Sequence, residues 1–140
     1  RKGNLNLPVR GKVLRNFNEA DAAGIKRAGI ILATDPKAIV ISPTAATIRY
    51  SGPLPDYGNV ATLEPQNGLL FVFAGMDTLY GEIGQVIPAL SPIGLMPSQS
   101  NEVDKIFKTQ ANIYSGKLSE TLYVEVRSGS ETENPLDWFK

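Results

Sequence analysis

Residues 40–52 read Val40-Ile41-Ser42-Pro43-Thr44-Ala45-Ala46-Thr47-Ile48-Arg49-Tyr50-Ser51-Gly52. Pro43 ends one short β-branched run, and another begins at Thr47. Within the second run Ile48 and Tyr50 share one face while Thr47 and Arg49 share the other, which is the period of a strand. The same habit extends both ways along the chain. Short apolar runs predict strands near Gly11–Phe17, Gly29–Thr34, Ala38–Ser42, Thr47–Gly52, Asn59–Glu64, Gly68–Ala74, Gln85–Leu90 and Leu122–Arg127. Breaks fall at Asp35-Pro36, Ser51-Gly52-Pro53, Pro55-Asp56, Gln66-Asn67-Gly68 and Tyr80-Gly81. Gln66-Asn67-Gly68 predicts a tight hairpin, because Asn and Gly both accept positive φ. In the last strand, alternation assigns Leu122, Val124 and Val126 to the core. It assigns Tyr123, Glu125 and Arg127 to solvent or a cleft.

The segment Asn101–Tyr114 departs from this period. Val103, Ile106, Phe107 and Ile113 are spaced for one face of a short helix, with Glu102, Asp104, Lys105 and Lys108 elsewhere. Pro97 to Asn101 supplies a loop and an N-cap ahead of it. Ser115–Glu120 reads as loop.

The 140 residues, 42% of them hydrophobic, suffice for one domain with a core and not for two ordinary ones. Fourteen Lys and Arg balance 14 Asp and Glu. No net field therefore draws the chain to nucleic acid or anionic lipid. No run approaches the ~20 apolar residues of a membrane span, and no signal peptide opens the chain. With Arg1 first, the chain reads as a piece of a longer protein.

Histidine and cysteine are both absent. That removes disulfides, thiol nucleophiles, Ser-His-Asp and Cys-His catalysis, and nearly every catalytic zinc site. Chemistry by carboxylates, Lys or Tyr stays open, as does no chemistry at all. Asp56, Glu64, Asp77, Glu82, Glu125 and Asp137 are scattered and match no EF-hand or fixed pair, although folding alone can bring two carboxylates together.

Four segments, taken in order, resemble a lysostaphin/LytM-type metallopeptidase domain. Arg27 followed by Gly29-Ile30-Ile31-Leu32-Ala33 resembles the family's His-x-Gly-x-Asp segment. Residues 40–52 are similar to its "V-x-A-P-x-D-G-x-V-x-Y-A-G" hairpin. Tyr57-Gly58-Asn59-Val60 and Phe73-Ala74-Gly75-Met76 look like its "YGN" turn and "Y-x-H-L" segment. Leu122-Tyr123-Val124-Glu125-Val126-Arg127, with Asn134-Pro135-Leu136-Asp137-Trp138-Phe139, resembles its closing "L-H-F-E-I-R … N-P-x-x-W-L". Gly84-Gln85-Val86-Ile87 and Ile93-Gly94 add a weaker likeness to "G-Q-x-V … I-G". The resemblance implies a single all-β domain over residues 1–140. Its core is 8–96 and 121–139, and 97–120 is an insertion. The implied fold is a curved antiparallel sheet of the LytM/lysostaphin-like peptidase type, with a second small sheet or hairpin and a small inserted helix.

The departures bear on function. Active members hold zinc with His and Asp of the first segment and a His of the last, and further His residues assist the water. Carried over, these vestigial zinc and catalytic positions fall on Arg27, Ile31, Gly75, Thr121 and Tyr123. Arg27 is a permanent cation, and Ile31 and Gly75 lend no side-chain lone pair. The expectation is a pseudoenzyme with no metal and no cofactor. Gly75-Met76 and Leu122-Tyr123-Val124-Glu125 look like the EnvC-type branch of murein hydrolase activators. That likeness implies a domain in the periplasm of a Gram-negative bacterium, usually behind an upstream coiled coil. Such domains switch on N-acetylmuramoyl-L-alanine amidases, which split septal peptidoglycan as daughter cells separate. The alternative is a peptidoglycan-binding or scaffold module of the envelope.

The expected partner-binding groove is the vestigial active site, lined by Arg27, Ile31, Tyr57, Phe73, Gly75, Tyr123 and Arg127. Each has a plainer reading beside it. Tyr123 and Arg127 are groove residues, or an exposed strand face with a Glu125–Arg127 surface pair. Tyr57 is a groove wall or a turn aromatic on the core edge. Phe73 is a groove floor or ordinary strand core behind Leu69, Leu70, Phe71 and Val72. Arg27 is a positive rim or one more solvated charge. Ile31 points opposite to Ile30 and Leu32, so it makes the groove apolar if they face the core. The 97–120 insertion is a lid over the groove or packs on the flank.

Overall fold

A computed structural model describes residues 2–98 and 119–140. The expected helix at Asn101–Tyr114 lies outside the described residues. The strands are β1 (Gly11–Arg15), β2 (Ile30–Thr34), β3 (Ile39–Ile41), β4 (Ala46–Leu54), β5 (Gly58–Gln66), β6 (Leu69–Met76), β7 (Thr78–Leu79), β8 (Val86–Ile87), β9 (Pro92–Leu95), β10 (Glu120–Ser128) and β11 (Glu131–Glu133). All their pairings are antiparallel. Among the described residues, eight strands form one sheet in the order β1-β2-β10-β6-β5-β4-β8, with β11 also on β10. A second sheet runs β3-β9-β7. The all-β expectation with a small second sheet holds.

Alternation explains how one sheet makes both a core and a groove. Leu122, Val124 and Val126 of β10 are fully buried, as are Ile30 and Leu32 of β2 and Phe71 and Phe73 of β6. They form one core with Val40 of β3 and Ile93 of β9, so the small sheet covers this face. The opposite face carries Thr121, Tyr123, Glu125 and Arg127 of β10, none of them buried.

The expected hairpin at Gln66-Asn67-Gly68 joins β5 to β6, with Gln66 opposite Leu69. Only Gly68 takes a positive φ, +85°, and its N–H donates to Glu64 Oε2 at 3.1 Å. The strand expected over Gln85–Leu90 shrinks to Val86–Ile87, because Leu90 turns out at φ +71°. The two-residue β7, the glycine-containing β9 and β11 carry too few alternating residues to read as strands.

The termini are fastened to each other. Leu5 N–H donates to the Trp138 carbonyl at 3.2 Å, and Lys140 N–H returns to Leu5 O at 2.8 Å. Pro135–Asp137 form a 3-10 turn capped by Asn134, whose side chain accepts from Leu136 N–H at 3.0 Å. Phe139 meets Phe71 edge-on with ring centroids 5.1 Å apart, which plugs the closing motif into the core.

Glu133 ties this end together by accepting from Trp138 Nε1 at 3.1 Å and from Lys2 Nζ at 3.2 Å. The Trp138 bond, then the Lys2 bond, holds its carboxyl below the usual range. Glu64 is held down likewise, by Gly68 N–H first and Arg49 second. A depressed folded-state pKa stabilises the fold above the unfolded value near 4.5, and that stabilisation is lost as pH falls through the folded value. The melting temperature is expected to drop between about pH 5 and about pH 3. Glu133→Gln is expected to lower it at neutral pH and flatten that acid limb. An unchanged acid limb in the variant would remove Glu133 from the account.

Candidate functional site

β2, β10 and β6 are neighbours in the middle of the sheet, and their shared outer face forms the floor of a groove. Tyr123 stands opposite Ile31 of β2 on one side and Ala74 of β6 on the other. This row of Ile31, Tyr123 and Ala74 crosses the three strands. Thr121 and Glu125 follow on either side of Tyr123 along β10. The groove encloses about 460 Å³.

One wall comes from the segment leading into β2, which brings Lys26, Arg27 and Ala28 to the groove. Local hydrogen bonds fix it. Asp21 Oδ1 accepts from the N–H groups of Ala23 at 2.9 Å and Ile25 at 3.0 Å, and Asn18 N–H donates to the Arg27 carbonyl at 3.1 Å. The Ile25 hydrogen bond is the main reason the Asp21 carboxyl lies below its usual range. Gly29 then lets the chain entering β2 pass close beside β10. A Cβ there would fall 2.4 Å from the Val124 carbonyl oxygen and 2.7 Å from Tyr123 Cζ.

The opposite wall is the β4–β5 turn, with Asp56 and Tyr57. Asp56 at φ +68° and Gly58 at φ +72° bend the chain on either side of Tyr57. Tyr57 is 54% exposed. Its ring lies 6.3 Å from that of Tyr123, tilted by 46°. The turn thus holds one tyrosine above the groove while β10 sets the other in its floor.

Along β10 three alternate side chains are coupled. Tyr123 Oη donates to Glu125 Oε1 at 2.7 Å, and Arg127 Nη1 donates to Glu125 Oε2 at 2.8 Å. Burial first, then the hydrogen bond to Glu125, pushes the Tyr123 phenol above its ordinary value of 10. The phenol is therefore neutral at physiological pH, and it donates rather than acting as a base. Both oxygens of Glu125 are engaged.

Most of the expected groove residues converge here. Arg27, Ile31, Tyr57, Gly75, Thr121 and Tyr123 line one cavity. Two do not. Phe73 is fully buried on the core face, because β6 sets Leu69, Phe71 and Phe73 on one side and Ala74 on the other. Its strand-core reading replaces the groove floor. Arg127 shares the groove face but stands beyond the lining, joined to it through Glu125. Lys26, Ala28, Asp56, Ala74 and Glu125 line the groove and were not among the expected groove residues. Of these, Ala74 was legible from the parity of β6 once Phe73 is placed in the core.

The set does not fit a zinc ion. Arg27 is cationic, Ile31 is apolar, and the Tyr123 hydroxyl is committed to Glu125. Gly75, onto which the resemblance carries a water-assisting histidine, lends no side-chain lone pair. It is the extra residue of a β-bulge, since Ala74 faces Val60 and Met76 faces Asn59. Its φ is +114°, and a Cβ would lie 2.8 Å from the Thr121 carbonyl oxygen. Gly75→Ala is expected to cost about 1–3 kcal/mol in a denaturant titration. A variant as stable as the parent would mean that the bulge relaxes freely. Among the described residues, no three His, Cys, Asp or Glu side chains gather to hold a metal. Nor is any helix among them long and apolar enough to cross a membrane.

No family model matches the chain. An uncharacterized protein of Neisseria meningitidis serogroup B is 24% identical over 139 residues, 99% of this chain and 20% of that protein. Csd3 of Helicobacter pylori superposes with a TM-score of 0.74 at 18% identity, over 97% of this chain and 33% of that one. A chain of the SpoIIIAH–SpoIIQ complex gives 0.71 at 21% identity, over 95% of this chain and 98% of that one. Lysostaphin gives 0.70 at 13% identity, over 96% of this chain and 53% of that one. The chain spans about a fifth of the curated relative and a third of Csd3. The fold is that of the LytM/lysostaphin-type peptidases.

Proposed function

We propose that this domain is a non-catalytic activator that binds a peptidoglycan amidase through the vestigial active-site groove. One observation carries the reading. The positions where the resembled family keeps its zinc and water-handling residues fall together in one groove, and here they are Arg27, Ile31, Gly75, Thr121 and Tyr123. The groove remains open and is lined by two tyrosines, an isoleucine and an arginine, side chains suited to gripping a protein segment. The SpoIIIAH–SpoIIQ likeness is to a chain crystallised within a protein–protein complex, which adds support for a protein partner.

The expected partner is a periplasmic N-acetylmuramoyl-L-alanine amidase, acting on septal peptidoglycan during daughter-cell separation in a Gram-negative envelope. Activation is a population shift. The groove takes a segment that blocks the amidase's own site and so favours the open enzyme. Moving the amidase from about 1% to about 99% open needs a roughly 10⁴-fold preference, about 5.5 kcal/mol. Two or three buried hot-spot contacts supply that amount.

Release of dye from labelled peptidoglycan tests the reading, with the domain alone and with an amidase from the same source. Release is expected only when both are present. Release by the domain alone would mean it is an enzyme. No release with the amidase would favour a second reading, a peptidoglycan-binding scaffold. That reading draws on the open groove and its tyrosines, and co-sedimentation with purified sacculi identifies it.

A further inference from the structure

Glu125, an anion of the groove lining, is already neutralised by Arg127 and tied to Tyr123. Lys26 and Arg27 also line the groove, and neither has an ion-pair partner among the described residues. Asp56 stands in the lining with no hydrogen bond or ion pair to its side chain among the described residues. The sheet order fixes where these charges sit. Lys26 and Arg27 precede β2, whereas Asp56 is in the β4–β5 turn, and β10, β6 and β5 lie between β2 and β4. The cations and the anion therefore occupy opposite walls, with the Ile31–Tyr123–Ala74 row as a largely apolar floor between them.

Opposite charges on facing walls of a cleft make a field with a direction, which salt screens because these side chains are exposed. We propose that the groove reads its protein partner by charge polarity. An acidic side chain of the bound segment is taken by Lys26 and Arg27. An apolar side chain lies over Ile31 against Tyr123. A basic side chain pairs with Asp56. A segment presented in the reverse direction would set like charges against both walls, so polarity fixes orientation as well as choice of partner. This inference rests on the groove reading above and names the chemistry of its partner segment.

The test is the affinity of the full chain for the amidase of the same source, at low and at elevated salt. The variants are the double change Lys26→Glu with Arg27→Glu, the single change Asp56→Lys, and Tyr123→Ala. These charged side chains are exposed, and circular dichroism checks each fold. Each charge reversal is expected to weaken binding by at least about tenfold, and the parent's affinity is expected to fall with salt. If Tyr123→Ala abolishes binding while both reversals stay within about twofold of the parent, polarity is overturned and the groove reading stands. If all variants bind like the parent, the groove reading itself fails. Binding of purified sacculi that depends on Lys26, Arg27 and Tyr123, with none to the amidase, would overturn the protein-segment proposal in favour of peptidoglycan.

Discussion

Phe73→Ala is expected to destabilise the domain by about 3–5 kcal/mol, the cost of truncating a buried phenylalanine together with the cavity it leaves. The ring is fully buried, its centroid is 6.4 Å from that of Phe71, and it belongs to the continuous core. A loss of that size is a large fraction of the 5–15 kcal/mol that holds a typical domain folded. Ile31→Ala makes the matched comparison, because Ile31 sits two strands away, across β10, on the groove face and is only half-buried. It is expected to cost about 1–2 kcal/mol in stability and to weaken partner binding. Denaturant midpoints with unchanged slopes measure both. A Phe73→Ala protein as stable as the parent but defective in binding would return Phe73 to the groove.

Tyr123→Ala is expected to reduce amidase affinity by about 30- to 1000-fold, or about 2–4 kcal/mol, and to remove stimulation of peptidoglycan release. The phenol stands at the centre of the floor row, faces Tyr57, and is held by its hydrogen bond to Glu125. A well-packed central aromatic in a groove has the character of a hot spot. Tyr123→Phe separates its parts. It keeps the ring and frees Glu125 Oε1, while Arg127 still engages the other oxygen. A small loss in Tyr123→Phe beside a large one in Tyr123→Ala would assign the energy to the ring. Full activation by Tyr123→Ala, in a folded domain, would remove Tyr123 from the partner surface.

On the reading proposed above, a peptidase-type cleft serves as a partner-binding surface. A peptidase cleft is already concave and sits on a rigid sheet. Arg27, Ile31 and Tyr123 give this groove a cation, an apolar surface and an aromatic ring. These are the side chains that partner recognition uses, and the backbone beneath them is held by cross-strand pairing.

The face parity of β10 was legible in the sequence, since side chains alternate across a strand whatever its neighbours. So was the lack of imidazole and thiol chemistry, which composition alone decides. The order of motifs was enough to gather Arg27, Ile31, Gly75, Thr121 and Tyr123 toward one place. Parity could not choose a side for Phe73, because Leu69 to Ala74 is apolar at every position and both faces read alike. Packing against Phe71 and the neighbouring strands made that choice. Nor did local sequence set Asp56 and Tyr57 across from Lys26 and Arg27, or join Glu125 to both Tyr123 and Arg127. The wall-to-wall placement depends on the order in which distant strands pair. The single-residue bulge at Gly75 also shifts the register locally. A strand's period is a property of a few consecutive residues. The groove is a property of β2, β10, β6 and the β4–β5 turn held together by pairing between distant segments.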